Sequence, residues 1–234
     1  MNSQYPAAEK VSRFDPLEIE KSIEEAVNIA WLEQRDTLVC SELLQTLITM
    51  LAVRDESTWE HSLRVTHLAM KLADATDLSL QEKKDLYIGA LLHDIGKVGI
   101  PDRILYKPAP LTEAEYEVMK CHAEIGAQIL VPSRQFRSAI PVVLCHHERY
   151  DGRGYPYGLK SEEISLPVRI LTIADAFEAM ISDRPYRRAL GLKVALREIE
   201  NQLGKQFDPD LGCAFVHMMS ELGLEWMIDL ANAP

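Results

Sequence analysis

The residues of this 234-residue chain best suited to chemistry are its histidines and two of its aspartates. Five of the seven histidines, His61, His93, His122, His146 and His147, fall on or beside apolar helical stripes. His61 shares a stripe with Val65, Leu68 and Leu72. His93 follows Ala90 by three residues, His122 follows Met119 by three, and His146-His147 close the run Val142-Val143-Leu144. One histidine in such a place reads as a hydrogen-bonded core residue. Five in one domain read as ligands, because neutral imidazole is the commonest nitrogen ligand for transition metals. His67 lies off the His61 stripe and His217 neighbours Met218 in the last helix; neither takes a role.

Asp94 directly follows His93, and Asp175 interrupts the apolar run from Ile170 to Phe177. A carboxylate in such surroundings is costly unless it is paired or coordinates a cation. A structural ion pair is the other reading of Asp175. Nitrogen and oxygen donors without thiolates point to iron, manganese, zinc or similar ions, not to a zinc-cysteine site. Seven ligands exceed what one ion takes. Two ions bridged by a carboxylate would use them all, and such a pair suits phosphoryl chemistry. The four cysteines (Cys40, Cys121, Cys145, Cys213) form no CxxC pair and read as reduced, mostly buried thiols. Cys121 and Cys145 each precede a histidine, but neighbours on a helix point about 100° apart, which disfavours joint ligation.

These side chains need helices to position them. Asp15-Pro16 with Glu18 makes a capping start for a helix carrying Ile19, Ile23, Ala26, Val27, Ala30 and Trp31. A second helix carries Leu43, Leu44, Leu47, Ile48 and Leu51; the pair packs on the domain or dimerises. From about residue 57 a further helix bears the His61 stripe. Ser79 with Glu82 opens the helix leading to His93, which Gly96 and Gly99-Ile100-Pro101 end. Thr112 with Glu115 opens one helix through Met119, Ile125 and Ile129. Ile140-Pro141 begins or kinks a helix that stops before the turn-rich loop Asp151 to Pro156, Pro167 opens the helix of Asp175, and Asp208-Pro209 starts the last. No alternating pattern is sustained, so the class is all-α.

Composition narrows the partners. Lys and Arg number 25 and Asp and Glu 36, a formal charge of −11. That acidity argues against broad binding to a nucleic-acid polymer. An anionic substrate would need local cations. The hydrophobic fraction, 47%, excludes wholesale disorder. No apolar run reaches the roughly 18–20 residues that span a bilayer, and Met1 to Lys10 lacks a signal-peptide core. A cytoplasmic protein with no membrane partner is expected.

The text around these residues closely resembles the HD-GYP family of the HD phosphohydrolase superfamily. The resemblance rests on His93-Asp94-Ile95-Gly96-Lys97, His146-His147-Glu148-Arg149-Tyr150-Asp151-Gly152-Arg153-Gly154-Tyr155-Pro156, Ala174-Asp175-Ala176-Phe177 and Ser182-Asp183-Arg184-Pro185-Tyr186-Arg187, in that order. It covers residues from about 50 to 220. It implies an all-α HD-domain helical bundle over 51–222, with a short N-terminal helical extension over 1–50 and a tail over 223–234. It also implies a metal-dependent phosphodiesterase that hydrolyses the bacterial messenger cyclic di-GMP to pGpG, and onward to GMP as a further step. One divalent ion would be held by His61, His93 and Asp175, the other by His122, His146 and His147, with Asp94 bridging. A hydroxide shared by the ions would attack phosphorus in line. Fe or Mn are the expected metals, with Zn, Ni, Co or Mg as alternatives. Lys97 would contact the scissile phosphate or assist the leaving oxygen. Arg184, Arg187 and Arg188 would bind phosphate, and Tyr155 would border the guanine pocket.

The chain departs from the family pattern in places. Some members hold a third metal with a glutamate four residues before the first histidine. Here that residue is Ser57, and Glu56 and Glu60 lie on other faces, so two ions are expected. Ala109 in Lys107-Pro108-Ala109-Pro110 replaces the usual glycine, which predicts a stiffer loop. Residues 1–50 are too short for a receiver or sensor domain, so the input is missing or comes from a GGDEF, sensor or receiver partner; a homodimer is also open. Two other readings compete: a catalytically slow metal-bound receptor for the messenger, and an HD hydrolase of another nucleotide.

Overall fold

The computed structural model of the chain describes residues 36–183 and 188–223, with side chains described from 42 onward. The helix expected at 15–31, the arginines Arg184 and Arg187, and the tail beyond Gly223 lie outside the described residues. The chain divides into two compact units, Met1–Met50 and Leu51–Pro234. Helix α1 is Asp36–Arg54. Next come α2 (Glu56–Ala73) and α3 (Leu80–Leu92), then a 3-10 turn over Ile95–Gly99 and the short α4 (Asp102–Leu105). Helices α5 (Glu113–Lys120), α6 (His122–Leu130) and α7 (Ile140–Cys145) follow, then α8 (Leu166–Ile181), α9 (Leu192–Asn201) and α10 (Pro209–Leu222). No strand occurs among the described residues, which is the all-α class expected. No described helix is long and apolar enough to cross a membrane.

The starts follow local chemistry. Asp55 caps α2 by accepting from the Thr58 amide. Ser79 with Glu82, and Thr112 with Glu115, form complete capping boxes at α3 and α5, so orphan amides at each start are satisfied reciprocally. Asp208 accepts from the amides of Asp210 and Leu211, with Pro209 at the first helical position. Each such cap is worth about 1 kcal/mol.

The core of the second unit forms where α2 packs on α3 and α8. Val65, Leu68 and Leu72 from α2 meet Leu86 and Ala90 from α3 and Val168, Leu171 and Phe177 from α8. Phe177 and Phe215 of α10 meet edge to face with centroids 5.0 Å apart. Burying each such side chain contributes about 1.5–3 kcal/mol, so α2 and α8 are held tightly enough to carry ligands.

Two expectations need correction. The stretch after Thr112 is two helices, not one, with a joint at Cys121. The Met119 carbonyl accepts from His122 Nδ1 there, which competes with the helical ladder. Of the three cysteines described, only Cys145 is buried; Cys121 and Cys213 are exposed. Helix α9 corresponds to no element in the sequence reading, because its apolar face (Ala195, Leu196, Ile199) is little more than one turn long.

The 3-10 turn after Asp94 lies directly on α6. A Cβ at Gly96 would stand 1.8 Å from the His122 carbonyl oxygen and 2.5 Å from the Gly126 amide, both backbone atoms that cannot move aside. At Gly99 it would meet only Ile125 side-chain atoms, at 3.1 Å. Gly96→Ala should therefore cost about 3 kcal/mol or more, and Gly99→Ala about 1 kcal/mol or less. Urea denaturation of both variants reads this, and equal losses would show that the backbone approach is not what matters.

Candidate metal centre

Three histidines stand at helix ends, and each makes the same bond. His93 caps α3 and its Nδ1 donates to the Ala90 carbonyl at 2.8 Å. His122 follows the end of α5 and donates to Met119 at 2.7 Å. His146 caps α7 and donates to Val143 at 2.7 Å. The last carbonyls of a helix lack intrahelical partners, so the ring satisfies one of them three residues back. With its Nδ1 proton so placed, each neutral ring presents the lone pair of Nε2. His61, in mid-α2, is oriented differently: its Nδ1 bonds to Glu178 of α8 and its Nε2 lies against Asp175.

The free nitrogens converge. His122 Nε2 and His146 Nε2 lie 3.2 Å apart. With both Nδ1 protons committed to carbonyls, neither can donate to the other, so two lone pairs face each other. His93 Nε2 is buried and has no hydrogen-bond partner. Both arrangements are costly in a protein alone and fit a bound cation. The Asp94 carboxylate stands between the groups. Its Oδ2 is 3.4 Å from His93 Nε2 and 3.9 Å from His61 Nε2, and its Oδ1 is 3.5 Å from His122 Nε2. Ligand atoms of His61, His93 and Asp94 lie within 4.8 Å of one another, and so do those of His122, His146 and His147. Asp175 joins the first group, its Oδ1 lying 3.0 Å from His61 Nε2 and 4.0 Å from His93 Nε2. All seven ligand candidates named from the sequence thus stand in one cluster.

The two groups differ electrostatically. Burial pulls the His61 imidazolium down, but Asp175 and Glu178 outweigh it and lift the ring to about 9. Burial lowers His122, lowers His146 strongly and takes His147 to about 4. Burial opposes ionisation of Asp94, yet Lys97 and His93 hold it well below the usual carboxylate range. Asp175 is likewise held low by His61 against burial, and Glu178 falls to about 2 for the same reason. The centre therefore offers anionic carboxylates and neutral imidazoles at His122, His146 and His147, while His61 must give up its extra proton to serve as a ligand.

The other predicted residues fall in several places. Lys97 lies on the 3-10 turn and its Nζ donates to Asp94 Oδ2 at 2.6 Å. Tyr155 lies against His147, with ring centroids 4.8 Å apart. Arg188 is exposed. Ser57 donates to Asp55 at the start of α2, at 2.7 Å, and Glu60 is exposed 3.7 Å from Arg64. His217 is exposed beside Glu221.

Two buried glutamates escaped the sequence reading. Glu178 accepts from His61, from Arg64 Nε at 2.7 Å and from the Ser182 hydroxyl at 2.6 Å. Its only sequence signal is its place three residues after Asp175 on an apolar helix. Glu148, 1% exposed, accepts from the amides of Tyr157 (2.7 Å), Gly158 (3.1 Å) and Leu159 (3.0 Å). It clamps the loop after the histidine pair. Gly154 seals that loop, since a Cβ there would come within 2.5 Å of Glu148 Cα and the His147 carbonyl oxygen.

With this geometry in place, residues 45–211 match the family model described as the HD domain. The chain belongs to the HD domain family. It is 42% identical over 183 residues to a protein of Thermotoga maritima named cyclic di-GMP phosphodiesterase, covering 77% of this chain and 50% of that protein. It is 39% identical over 166 residues to 3'3'-cGAMP-specific phosphodiesterase 3 of Vibrio cholerae, covering 71% of this chain and 36% of that protein. The chain thus spans about half or less of the length of these curated relatives. Among solved structures, an HDGYP protein from Bdellovibrio bacteriovorus superposes with a TM-score of 0.60 at 18% identity, covering 88% of this chain and 70% of that one. This last likeness concerns the HD-domain fold alone.

The shifted histidines set a pH dependence for the chelator-treated protein. His61, at about 9 against 6.5 unfolded, contributes stability that is complete below about 6.5 and lost as pH rises through about 9. His147, at about 4, acts oppositely: below 6.5 the unfolded chain gains a proton that the folded chain refuses, so stability falls toward pH 4. The low carboxylates act only below their ordinary range. Calorimetry of chelated protein should therefore find the highest Tm near pH 6.5. A Tm that climbs steadily to pH 9 would show that His61 is not held protonated.

Proposed function

We propose that residues 51–222 form a metal-dependent phosphodiesterase domain that hydrolyses cyclic di-GMP to pGpG, with residues 1–50 as an appended helical extension and 223–234 as a tail. The observation that carries this is Asp94, whose two carboxylate oxygens face two separate histidine groups. His61, His93 and Asp175 would hold one divalent ion, His122, His146 and His147 the other, and Asp94 both. A nitrogen and oxygen donor set without thiolate suits Fe or Mn first. Ser57, turned to Asp55, supports two ions over three. Such ions supply Lewis acidity toward a phosphoryl oxygen and activate water as a nucleophile.

The chain's own residues do the rest. The Nδ1–carbonyl bonds of His93, His122 and His146 fix the rings so that no reorganisation is needed on binding. Lys97 Nζ, on Asp94 Oδ2, is the nearest described cation to the cluster and would neutralise a phosphoryl oxygen or hold a proton for the leaving oxygen. Arg188, with Arg184 and Arg187, would draw the phosphates. The names of the relatives support a cyclic dinucleotide as substrate, with cyclic di-GMP first among them. A regulatory GGDEF, sensor or receiver partner would supply the input signal.

Anaerobic protein loaded with Fe(II) or Mn(II) should carry two ions per chain and release pGpG from cyclic di-GMP, resolved by chromatography. Asp94→Asn should lower kcat/KM at least about 100-fold. Tight binding of cyclic di-GMP with no product under either metal would sink the enzyme reading, and three ions per chain would sink the ligand assignment. Glu178→Gln should weaken metal retention about 10–100-fold against a chelator, because it orients His61. Unchanged retention would place Glu178 outside the site's support.

A further inference from the structure

Arg54, the last residue of α1, is not one of the cluster residues, yet a run of hydrogen bonds leads from it to the carboxylate between the two histidine groups. Its Nη2 donates to the Ile100 carbonyl at 3.3 Å. The Ile100 amide donates to the Lys97 carbonyl at 3.1 Å, and the Lys97 amide to the Asp94 carbonyl at 2.9 Å. Lys97 Nζ then returns to Asp94 Oδ2. Building on the phosphodiesterase reading, we infer that Arg54 is a positioning residue for that reaction: it fixes the far end of the 3-10 turn and so sets where Lys97 stands on Asp94.

The turn needs two anchors. Hydrogen-bond geometry in a 3-10 helix is poorer than in an α-helix, so five such residues do not place a side chain unaided. At the start of the turn, Gly96 is pressed on the α6 backbone. At its end, Gly99 faces only movable side-chain atoms of Ile125. The second anchor falls on the next residue, Ile100, which is buried and held through its carbonyl by Arg54.

Arg54 is itself held from three sides. It pairs with Asp102, its guanidinium lies 5.7 Å from the Tyr106 ring centre, and its carbonyl accepts from the Tyr106 hydroxyl at 2.6 Å. Asp102 and Tyr106 bracket α4 and are joined by a backbone bond of 2.9 Å. One small unit thus keeps the guanidinium on Ile100. The residue after Arg54, Asp55, caps α2, the helix of His61. The junction between α1 and α2 therefore sets the register of the Asp94–Lys97 turn against the helix that supplies the first histidine.

Stability does not account for this arrangement. The Arg54 and Asp102 side chains are 31% and 70% exposed, and such a pair adds little to folding. Placement is more demanding, since a displacement of about 1 Å in a reacting group costs up to about 100-fold in rate. A change at Arg54 should then move the rate more than the fold.

Backbone hydrogen exchange of the full chain, freed of metal by chelation, tests the anchor without turnover. In Arg54→Met the Lys97 and Ile100 amides should exchange about 10-fold faster, while the Ile173 amide in the core of α8 keeps its rate. Asp102→Asn, at an exposed site, should give the same pattern more weakly. Loaded with Mn(II), Arg54→Met should still carry two ions and lower kcat about 10-fold with KM within about 2-fold. In a Lys97→Ala background the same change should lower kcat less than about 2-fold further, because its route to the reaction is already gone. Unchanged exchange at Lys97 and Ile100, equally faster exchange at Ile173, or a full additional loss in the Lys97→Ala background would each overturn the assignment. Faster local exchange in a protein whose unaltered chain hydrolyses no cyclic di-GMP would support the anchoring of the turn by Arg54 and count against the functional reading alone.

Discussion

The bond on which the centre depends is the one from a histidine Nδ1 to the carbonyl three residues earlier. It occurs at His93, His122 and His146, and each time it coincides with the end of a helix. The coincidence is physical. A terminal carbonyl wants a donor, and the histidine that provides it is left with one lone pair pointing forward. Three helix ends thereby aim their ring nitrogens into one small volume. Packing of α2 against α8 in the core then brings His61 and Asp175 to the same place.

What could be read from the sequence was what is local. The capping boxes at Ser79 and Thr112 involve residues three apart, and both are present in the structure. The seven candidate ligands were visible because each breaks an apolar stripe within a few residues of itself. What escaped is set by distance along the chain. Glu178 bonds to His61 across 117 residues, so neither residue's neighbourhood reveals the pairing. Glu148 acts on amides nine to eleven residues away, which no side-chain pattern records. The break at Cys121 lies in the geometry of His122, not in any proline or glycine. Lys97 lies on a 3-10 turn, which brings it back onto Asp94 three residues earlier.

The acidity of the chain takes on a different meaning in this setting. Among its 36 acidic residues, Asp94, Asp175, Glu178 and Glu148 lie in or against the centre, where they orient rings, hold backbone amides or present oxygen. They are not part of a repelling surface. Two divalent ions would add about four positive charges at this point, so the attraction of an anionic ligand becomes a property of the loaded centre, independent of net charge.

Glu148 sits next to His147 yet holds the far end of the loop that carries Arg153 and Tyr155. Its side chain, together with Gly154 and the 147–149 backbone, forms a socket, and the residues between are the insert. Tyr155 of the insert lies against the His147 ring, so the loop and the ring it covers move as one body, and a change at Gly154 or Glu148 would reach the centre through the backbone that they grip.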